Sequence, residues 1–159
     1  MRVGACPAAR KGLATIEGLS MLSNSRLIRV QWGDCDPAGI VFYPRYFEWF
    51  DASTILLFEK ATGLTKIKML AKYNGAGLAL VEAGAKFAVP SQYGDDIEIH
   101  TSVKAFGRSS FSMLHRVTKG GAPALEGFEK RVWTARDPKD PNRLRSAPIP
   151  AAVLEGFHA

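Results

Sequence analysis

A single long helical pattern, running from Pro44 to Gly63, stands among strand patterns and constrains the fold of this chain more than any other feature. Proline suits the first turn of a helix, and glycine is a common residue where a helix stops. Because the residue before a proline avoids helical backbone angles, Tyr43 is predicted to lie at the helix boundary. The apolar positions recur at helical spacing and predict one buried face, formed by Phe47, Phe50, Thr54, Leu57, Phe58 and Ala61.

Alternation of apolar and polar residues predicts one strand before this helix and four strands after it. The apolar run Leu78–Val81 is typical of a central strand, and residues 137–150, which are rich in proline, are predicted to be irregular. Strands that succeed one another at short spacing form antiparallel meanders. We therefore predict an α+β fold in which a five-stranded antiparallel sheet wraps around one long helix.

A length of 159 residues, 47% of them hydrophobic, predicts one soluble domain with a substantial core. We place the domain at residues 25–159 and predict a flexible tail over residues 1–24. The first twenty residues lack the continuous apolar core of a signal peptide, and no apolar run is long enough to span a membrane.

The two cysteines, Cys6 and Cys35, provide neither a disulfide framework nor the spacing of a metal site, which favours a reducing cytoplasm. The net charge is +6, but the basic residues are scattered and no nucleic-acid motif groups them with stacking aromatics. We therefore expect neither a nucleic acid nor a membrane as a partner.

The run Gly33–Pro44 (GDCDPAGIVFYP) places Asp36 in a Gly- and Pro-rich turn directly before the helix. A helix start offers unbonded N–H groups and a partial positive charge. A carboxylate that faces such a start can attack a carbonyl carbon or activate water, while the N–H groups polarise the carbonyl oxygen. Asp36 is thus predicted to be functional. Asp34 is predicted to be structural, bonded to nearby backbone amides.

Two further polar residues fall on predicted apolar faces. Asp51 shares the face of Phe47 and Phe58, where a carboxylate is costly unless it has a partner. It is therefore either a ligand contact at the floor of a pocket or a structural hydrogen bond to a strand. His115 alternates in phase with Met113 and Val117, which predicts a core or interface histidine.

The run Gly33–Pro44, followed by Tyr46, Trp49 and Asp51, resembles the signature of the 4-hydroxybenzoyl-CoA thioesterase family of hot-dog folds. The similarity continues more loosely through residues 93–96, 108–111 and 143–145, and covers roughly residues 25–150. The resemblance implies a hot-dog fold and hydrolysis of an acyl-CoA thioester without a metal or redox cofactor. It also implies homodimers, usually paired into homotetramers, with each site between subunits.

The resemblance also implies roles for individual residues. Asp36 matches the catalytic carboxylate, Tyr43 matches the residue whose backbone N–H meets the thioester carbonyl, and Asp51 matches the contact to the 4-hydroxyl of an aromatic acyl group. Three arginines match positions that bind the phosphates of coenzyme A: Arg108, Arg143 and Arg145. Broader acyl-CoA thioesterases often carry histidine at the position of Tyr43, so the Tyr-Pro pair favours the aryl branch.

The prediction is an acyl-CoA thioesterase acting on an aromatic, 4-hydroxybenzoyl-like acyl group, with Asp36 as nucleophile or as general base. A nucleophilic role forms a mixed anhydride that water then hydrolyses, and a general-base role activates water directly. One alternative is a thioesterase for aliphatic or other acyl groups, in which Asp51 is only structural. Another is a non-catalytic acyl-CoA-binding module on the same fold.

Overall fold

The computed structural model describes residues 21–158. The elements in chain order are β1 (Ser23–Arg29), a 3₁₀ turn (Trp32–Asp34), α1 (Pro44–Thr62), α2 (Lys66–Lys72), β2 (Gly77–Phe87), β3 (Asp96–Phe106), β4 (Ser110–Lys119), β5 (Ala122–Arg136), β6 (Leu144–Ser146) and α3 (Ala151–Glu155). Strand β1 includes Ser23 and Asn24, which the prediction had assigned to the tail. Residues 1–20, with Cys6, lie outside the described part. None of the helices in residues 21–158 has the length and apolarity needed to cross a membrane.

The strands form one antiparallel sheet in the order β1-β3-β4-β5-β2, with β6 paired to β5. The five long strands and the meander β3–β4–β5 are confirmed. The prediction that β2 continues this meander is wrong, because β2 pairs with β5 and forms an edge of the sheet. Residues 88–95 therefore cross the end of the sheet to reach β3 at the opposite side, and this crossing builds one wall of the site described below.

The edge position also corrects the prediction that Leu78–Val81 belongs to a central strand. Leu78 is buried, but Leu80 and Val81 are exposed in the single chain. An apolar run is typical of a strand covered on both faces, yet it gives no information about whether a neighbouring strand covers the edge. The molecule therefore carries an apolar edge strand with unpaired backbone groups.

Helix α1 begins and ends where the sequence predicts. Pro44 is its first residue, and Gly63 ends it in the left-handed conformation with φ of 65°. The expectation for Tyr43 was wrong in its backbone angles, because φ of −51° and ψ of −33° are helical. The Tyr43 carbonyl accepts a hydrogen bond from the Tyr46 N–H at 3.2 Å, which holds the residue before the proline in this turn.

The buried face of α1 packs against the sheet in two clusters. Around the first half of the helix, Tyr46 and Phe50 pack with Val41, Ile97 and Leu125. Around the second half, the cluster contains Leu57, Phe58, Met69, Trp133, Val153 and Phe157. Short α3 closes this second cluster, and β6 orders part of the segment predicted to be irregular. The two clusters fix α1 along the sheet, so its N-terminus meets the crossing segment.

Candidate active site at the start of helix α1

The loop before α1 folds tightly around Asp36. The Asp36 N–H donates to the Ile40 carbonyl at 2.9 Å, and the Gly39 N–H donates to the Asp36 carbonyl at 2.9 Å. Gly39 has φ of 80°, a conformation that glycine adopts without steric cost. The Ala38 N–H donates to Asp36 Oδ1 at 2.8 Å, which fixes the carboxylate in a turn.

Asp34 is structural, as predicted. Its Oδ2 accepts a hydrogen bond from the Gln31 N–H at 2.8 Å, and its carbonyl accepts one from the Phe42 N–H at 2.8 Å. Arg45 Nη2 donates to the Gly33 carbonyl at 3.3 Å and so ties the first turn of α1 to the same loop. These bonds position Asp36 relative to the helix start.

Asp36 lies on a cavity of about 400 Å³ between the loop, the first turns of α1 and the crossing segment. Most of the lining is apolar. The lining residues are Asp36, Ile40, Val41, Tyr43, Tyr46, Phe87, Ala88, Val89, Pro90 and Ser91. Among residues 21–158, Asp36 Oδ2 has no hydrogen-bond partner. One oxygen of the carboxylate is therefore anchored, and the other is free to react.

Tyr43 lies on the same cavity, directly before the first residue of α1. No acceptor in the described part of the chain receives its backbone N–H. Such an N–H at a helix start, reinforced by the partial positive charge of the helix, can stabilise an oxyanion. The structure thus brings Asp36 and Tyr43 together, as the sequence predicts.

Tyr46 contributes the phenol of the cavity. It is buried, and this burial raises the pKa of the Tyr46 phenol above its ordinary value. The phenol therefore remains protonated at neutral pH, where it can donate a hydrogen bond but does not serve as a base.

Asp51 does not line this cavity, and the expectation that its side chain is buried was wrong. The side chain is 54% exposed, and Oδ1 accepts a hydrogen bond from Nη2 of Arg131 at 2.7 Å. The buried stripe of α1 is centred on Phe50, Thr54 and Leu57, which leaves Asp51 on its flank. Asp51 is thus hydrogen-bonded to a strand residue, which is one of the two interpretations that the sequence left open.

Arg131 belongs to a buried polar cluster that sequence reasoning missed, formed by Thr54, Thr101, His115, Glu129 and Arg131. Glu129 accepts hydrogen bonds from Thr54 Oγ1 at 2.8 Å and from Arg131 Nε at 2.9 Å. His115 Nδ1 is hydrogen-bonded to Thr101 Oγ1 at 2.9 Å, and its ring stacks on Phe50. His115 is thus a core histidine, as predicted.

Charges within this cluster are strongly coupled. Burial alone would raise the pKa of Glu129, but the close contact with His115, whose Nε2 lies 3.4 Å from Oε2, and the hydrogen bonds and charge of Arg131 outweigh it and lower the pKa to about 2. Burial would lower the pKa of Arg131, and Glu129 and Asp51 raise it instead. Both side chains of the Glu129–Arg131 pair are therefore ionised at neutral pH.

The three arginines lie at the other end of the molecule from the cavity. Arg108 lies two residues beyond the end of β3, and its carbonyl accepts a hydrogen bond from the Ile149 N–H at 2.9 Å. Arg145 pairs in register with Ala135 near the end of β5. The cavity is near the start of β3, whose 11 residues span about 35 Å. Arg108, Arg143 and Arg145 therefore do not line the cavity of their own chain.

Comparison with known proteins identifies the family of this chain. The model of the thioesterase-like superfamily matches residues 30–157. The chain is 36% identical over 133 residues to 4-hydroxybenzoyl-CoA thioesterase of Pseudomonas sp. (strain CBS-3), which covers 80% of this chain and 92% of that protein. A structure of a 4-hydroxybenzoyl-CoA thioesterase variant in complex with 4-hydroxybenzoyl-CoA matches with a TM-score of 0.77 and 31% identity, over 85% of this chain and 98% of that one.

The structure of a gentisyl-coenzyme A thioesterase also matches, with a TM-score of 0.70 and 31% identity, over 86% of this chain and 100% of that one. These similarities confirm the predicted hot-dog fold and the resemblance carried by the run Gly33–Pro44. The chain therefore belongs to the thioesterase-like superfamily.

Proposed function

We propose that this acyl-CoA thioesterase hydrolyses the thioester of an aromatic acyl group, with Asp36 as its catalytic carboxylate. One observation carries the proposal: Asp36, with one unbonded oxygen, and Tyr43, with its unbonded N–H, line the same apolar cavity. A thioester bound there would present its carbonyl carbon to a carboxylate and its carbonyl oxygen to the start of α1. An apolar wall strengthens both interactions because it excludes water.

In the nucleophilic route, Asp36 Oδ2 attacks the carbonyl carbon, and the carbonyl oxygen becomes an oxyanion that the Tyr43 N–H stabilises. The C–S bond then breaks, coenzyme A leaves as its thiolate, and a mixed anhydride joins the acyl group to Asp36. Water hydrolyses the anhydride and regenerates the carboxylate.

In the general-base route, Asp36 takes a proton from a water molecule that attacks the same carbon. An ordinary carboxylate is a weak base at neutral pH, which favours the nucleophilic route. Both routes use the same oxyanion contact at the start of α1.

The aromatic acyl group is supported by the relatives and by the cavity. Two of the matching enzymes are named for aromatic acyl groups, 4-hydroxybenzoyl and gentisyl. The cavity beside Asp36 is walled by Tyr46, Phe87 and Val89, which suits a flat apolar ring. Asp51 is proposed to accept a hydrogen bond from a hydroxyl on that ring.

We further propose that the active form is a homodimer or homotetramer in which neighbouring copies complete each site. Strand β2 is an apolar edge that needs cover, with Leu80, Val81 and Phe87 exposed. Asp51 and the three arginines lie outside the cavity of their own chain, so they would reach a substrate only in the cavity of another copy. The arginines would then bind the phosphates of coenzyme A.

A panel of acyl-CoA thioesters, assayed by release of free thiol, tests the proposal. We expect hydroxylated benzoyl-CoA thioesters to have kcat/KM values at least about 100-fold above those of aliphatic thioesters of similar size. Equal or better turnover of aliphatic thioesters would refute the aromatic assignment. Absence of thiol release with every thioester of the panel would refute hydrolysis at this site.

A further inference from the structure

We propose that Arg131 is a positioning residue, which holds the Asp51 carboxylate in the orientation that selects acyl groups bearing a hydrogen-bond donor. The inference rests on the proposed function, because it takes Asp51 as the contact to the ring substituent. It adds a buried residue of β5 to the determinants of specificity.

The guanidinium of Arg131 has a single orientation in the fold. Its Nε and Nη2 donate to the two oxygens of Glu129 at 2.9 and 2.8 Å, a bidentate pair. Its Nη1 donates to the Leu78 carbonyl at 3.1 Å, which ties it to the edge strand β2. Glu129 is itself held by Thr54, and both members of the pair are buried. Arg131 is thus a rigid support and not a flexible surface charge.

Asp51 uses only half of its carboxylate on this support. Oδ1 is bonded to Arg131, whereas Oδ2 has no partner among residues 21–158, and the side chain is 54% exposed. Water screens the exposed carboxylate of this pair, so stability alone gives a weak reason for the arrangement. The arrangement does leave one oriented acceptor at the surface, beside the edge strand that we propose lies against another copy.

The charges of Asp51, Glu129 and Arg131 determine which ring substituent the free Asp51 oxygen can bind. Glu129 already balances Arg131, so Asp51 keeps its own negative charge. A neutral donor such as a phenolic hydroxyl fits such an oxygen. A carboxylate on the ring meets a like charge and is rejected. If Arg131 contacted the substrate directly as a cation, the preference would be reversed.

The first test uses the unaltered protein with three substrates: 4-hydroxybenzoyl-CoA, benzoyl-CoA and 4-carboxybenzoyl-CoA. We expect kcat/KM to fall at least about 100-fold from the first to the second and further to the third. Hydrolysis of 4-carboxybenzoyl-CoA as fast as that of 4-hydroxybenzoyl-CoA overturns the inference, and this arm needs no variant to fold.

The second test compares Asp51→Asn, Arg131→Lys and the double variant. Lysine keeps the charge but loses the planar fork. Each single variant should lower the ratio of kcat/KM between 4-hydroxybenzoyl-CoA and benzoyl-CoA about tenfold or more. The double variant should lower it no further than Asp51→Asn does, because the two residues act as one unit.

Arg116→Lys is the matched control, because it makes the same substitution at an arginine of β4 whose ion pair with Glu126 of β5 is exposed. It should leave the ratio unchanged. A normal ratio in Arg131→Lys together with a lowered ratio in Asp51→Asn overturns the positioning role and leaves the proposed function intact. No preference in the unaltered protein overturns the contact to Asp51 and this inference with it.

Discussion

The buried carboxylate of Glu129 should make stability depend on pH in a defined window. Its pKa is about 2 in the folded protein, against an ordinary value of 4.5. Because the folded pKa is the lower one, the ionised group stabilises the fold above about pH 4.5, and this stabilisation is lost as the pH falls toward 2. The two values correspond to about 3 kcal/mol of the free energy of unfolding near neutral pH.

The variant Glu129→Gln isolates this contribution. Near pH 3 less than half of this stabilisation remains, because the unfolded state is then largely protonated while the folded state stays mostly ionised. The destabilisation caused by the variant should therefore be about 2 kcal/mol smaller near pH 3 than near pH 6. Any cost of the substitution that does not depend on pH cancels in this difference.

Urea unfolding followed by circular dichroism at the two pH values measures the difference, with Glu126→Gln as the control. Glu126 is an exposed neighbour on β5 whose ion pair with Arg116 is 3.6 Å long, so its loss should cost less than about 1 kcal/mol at either pH. Equal destabilisation by Glu129→Gln at both pH values would refute the argument that the buried cluster lowers this pKa.

Three further predictions concern packing, assembly and coenzyme A. In Gly127→Ala the new Cβ would overlap the ring of Phe50, so the free energy of unfolding should fall by about 1–3 kcal/mol. In the control Gly33→Ala the space around the new Cβ is open, so the thermal midpoint should stay almost unchanged. Val81→Lys should shift the sedimentation coefficient toward that of a monomer and lower kcat/KM. The control Ile67→Lys, at an exposed position on α2, should change neither quantity. An active monomer would contradict the shared site. Arg108→Ala or Arg145→Ala should raise KM about tenfold with little change in kcat, and added salt should raise the KM of the unaltered protein. A KM that responds to neither change would show that these arginines are solvated surface residues that do not bind coenzyme A.

Local signals in the sequence predict most of the elements. Pro44 and Gly63 mark the ends of α1 because their backbone preferences act within a few residues. The alternation in β3 and β4 predicts which side chains are buried, including His115. The run around Asp36 predicts a turn before a helix, and the structure has that turn. Each of these inferences depends on neighbours in sequence.

The missed features depend on partners distant in sequence. Strand β2 lies at the edge because the crossing segment carries the chain past β5 and β4, which no local pattern encodes. The phase of β5 does hold a usable signal: Leu125 and Trp133 are buried, so Glu129 and Arg131, at even spacing between them, share the buried face. A Glu-x-Arg pair on an apolar strand face therefore predicts a buried ion pair.

The proposed function depends most on hydrolysis by the Asp36 carboxylate. The most direct test measures kcat and substrate affinity for Asp36→Asn, with Asp96→Asn, an exposed carboxylate paired with Arg29, as the control. We expect Asp36→Asn to lower kcat for the best aryl-CoA by about 10³-fold or more, while the dissociation constant changes less than about threefold. Turnover of Asp36→Asn close to that of the control would contradict the claim.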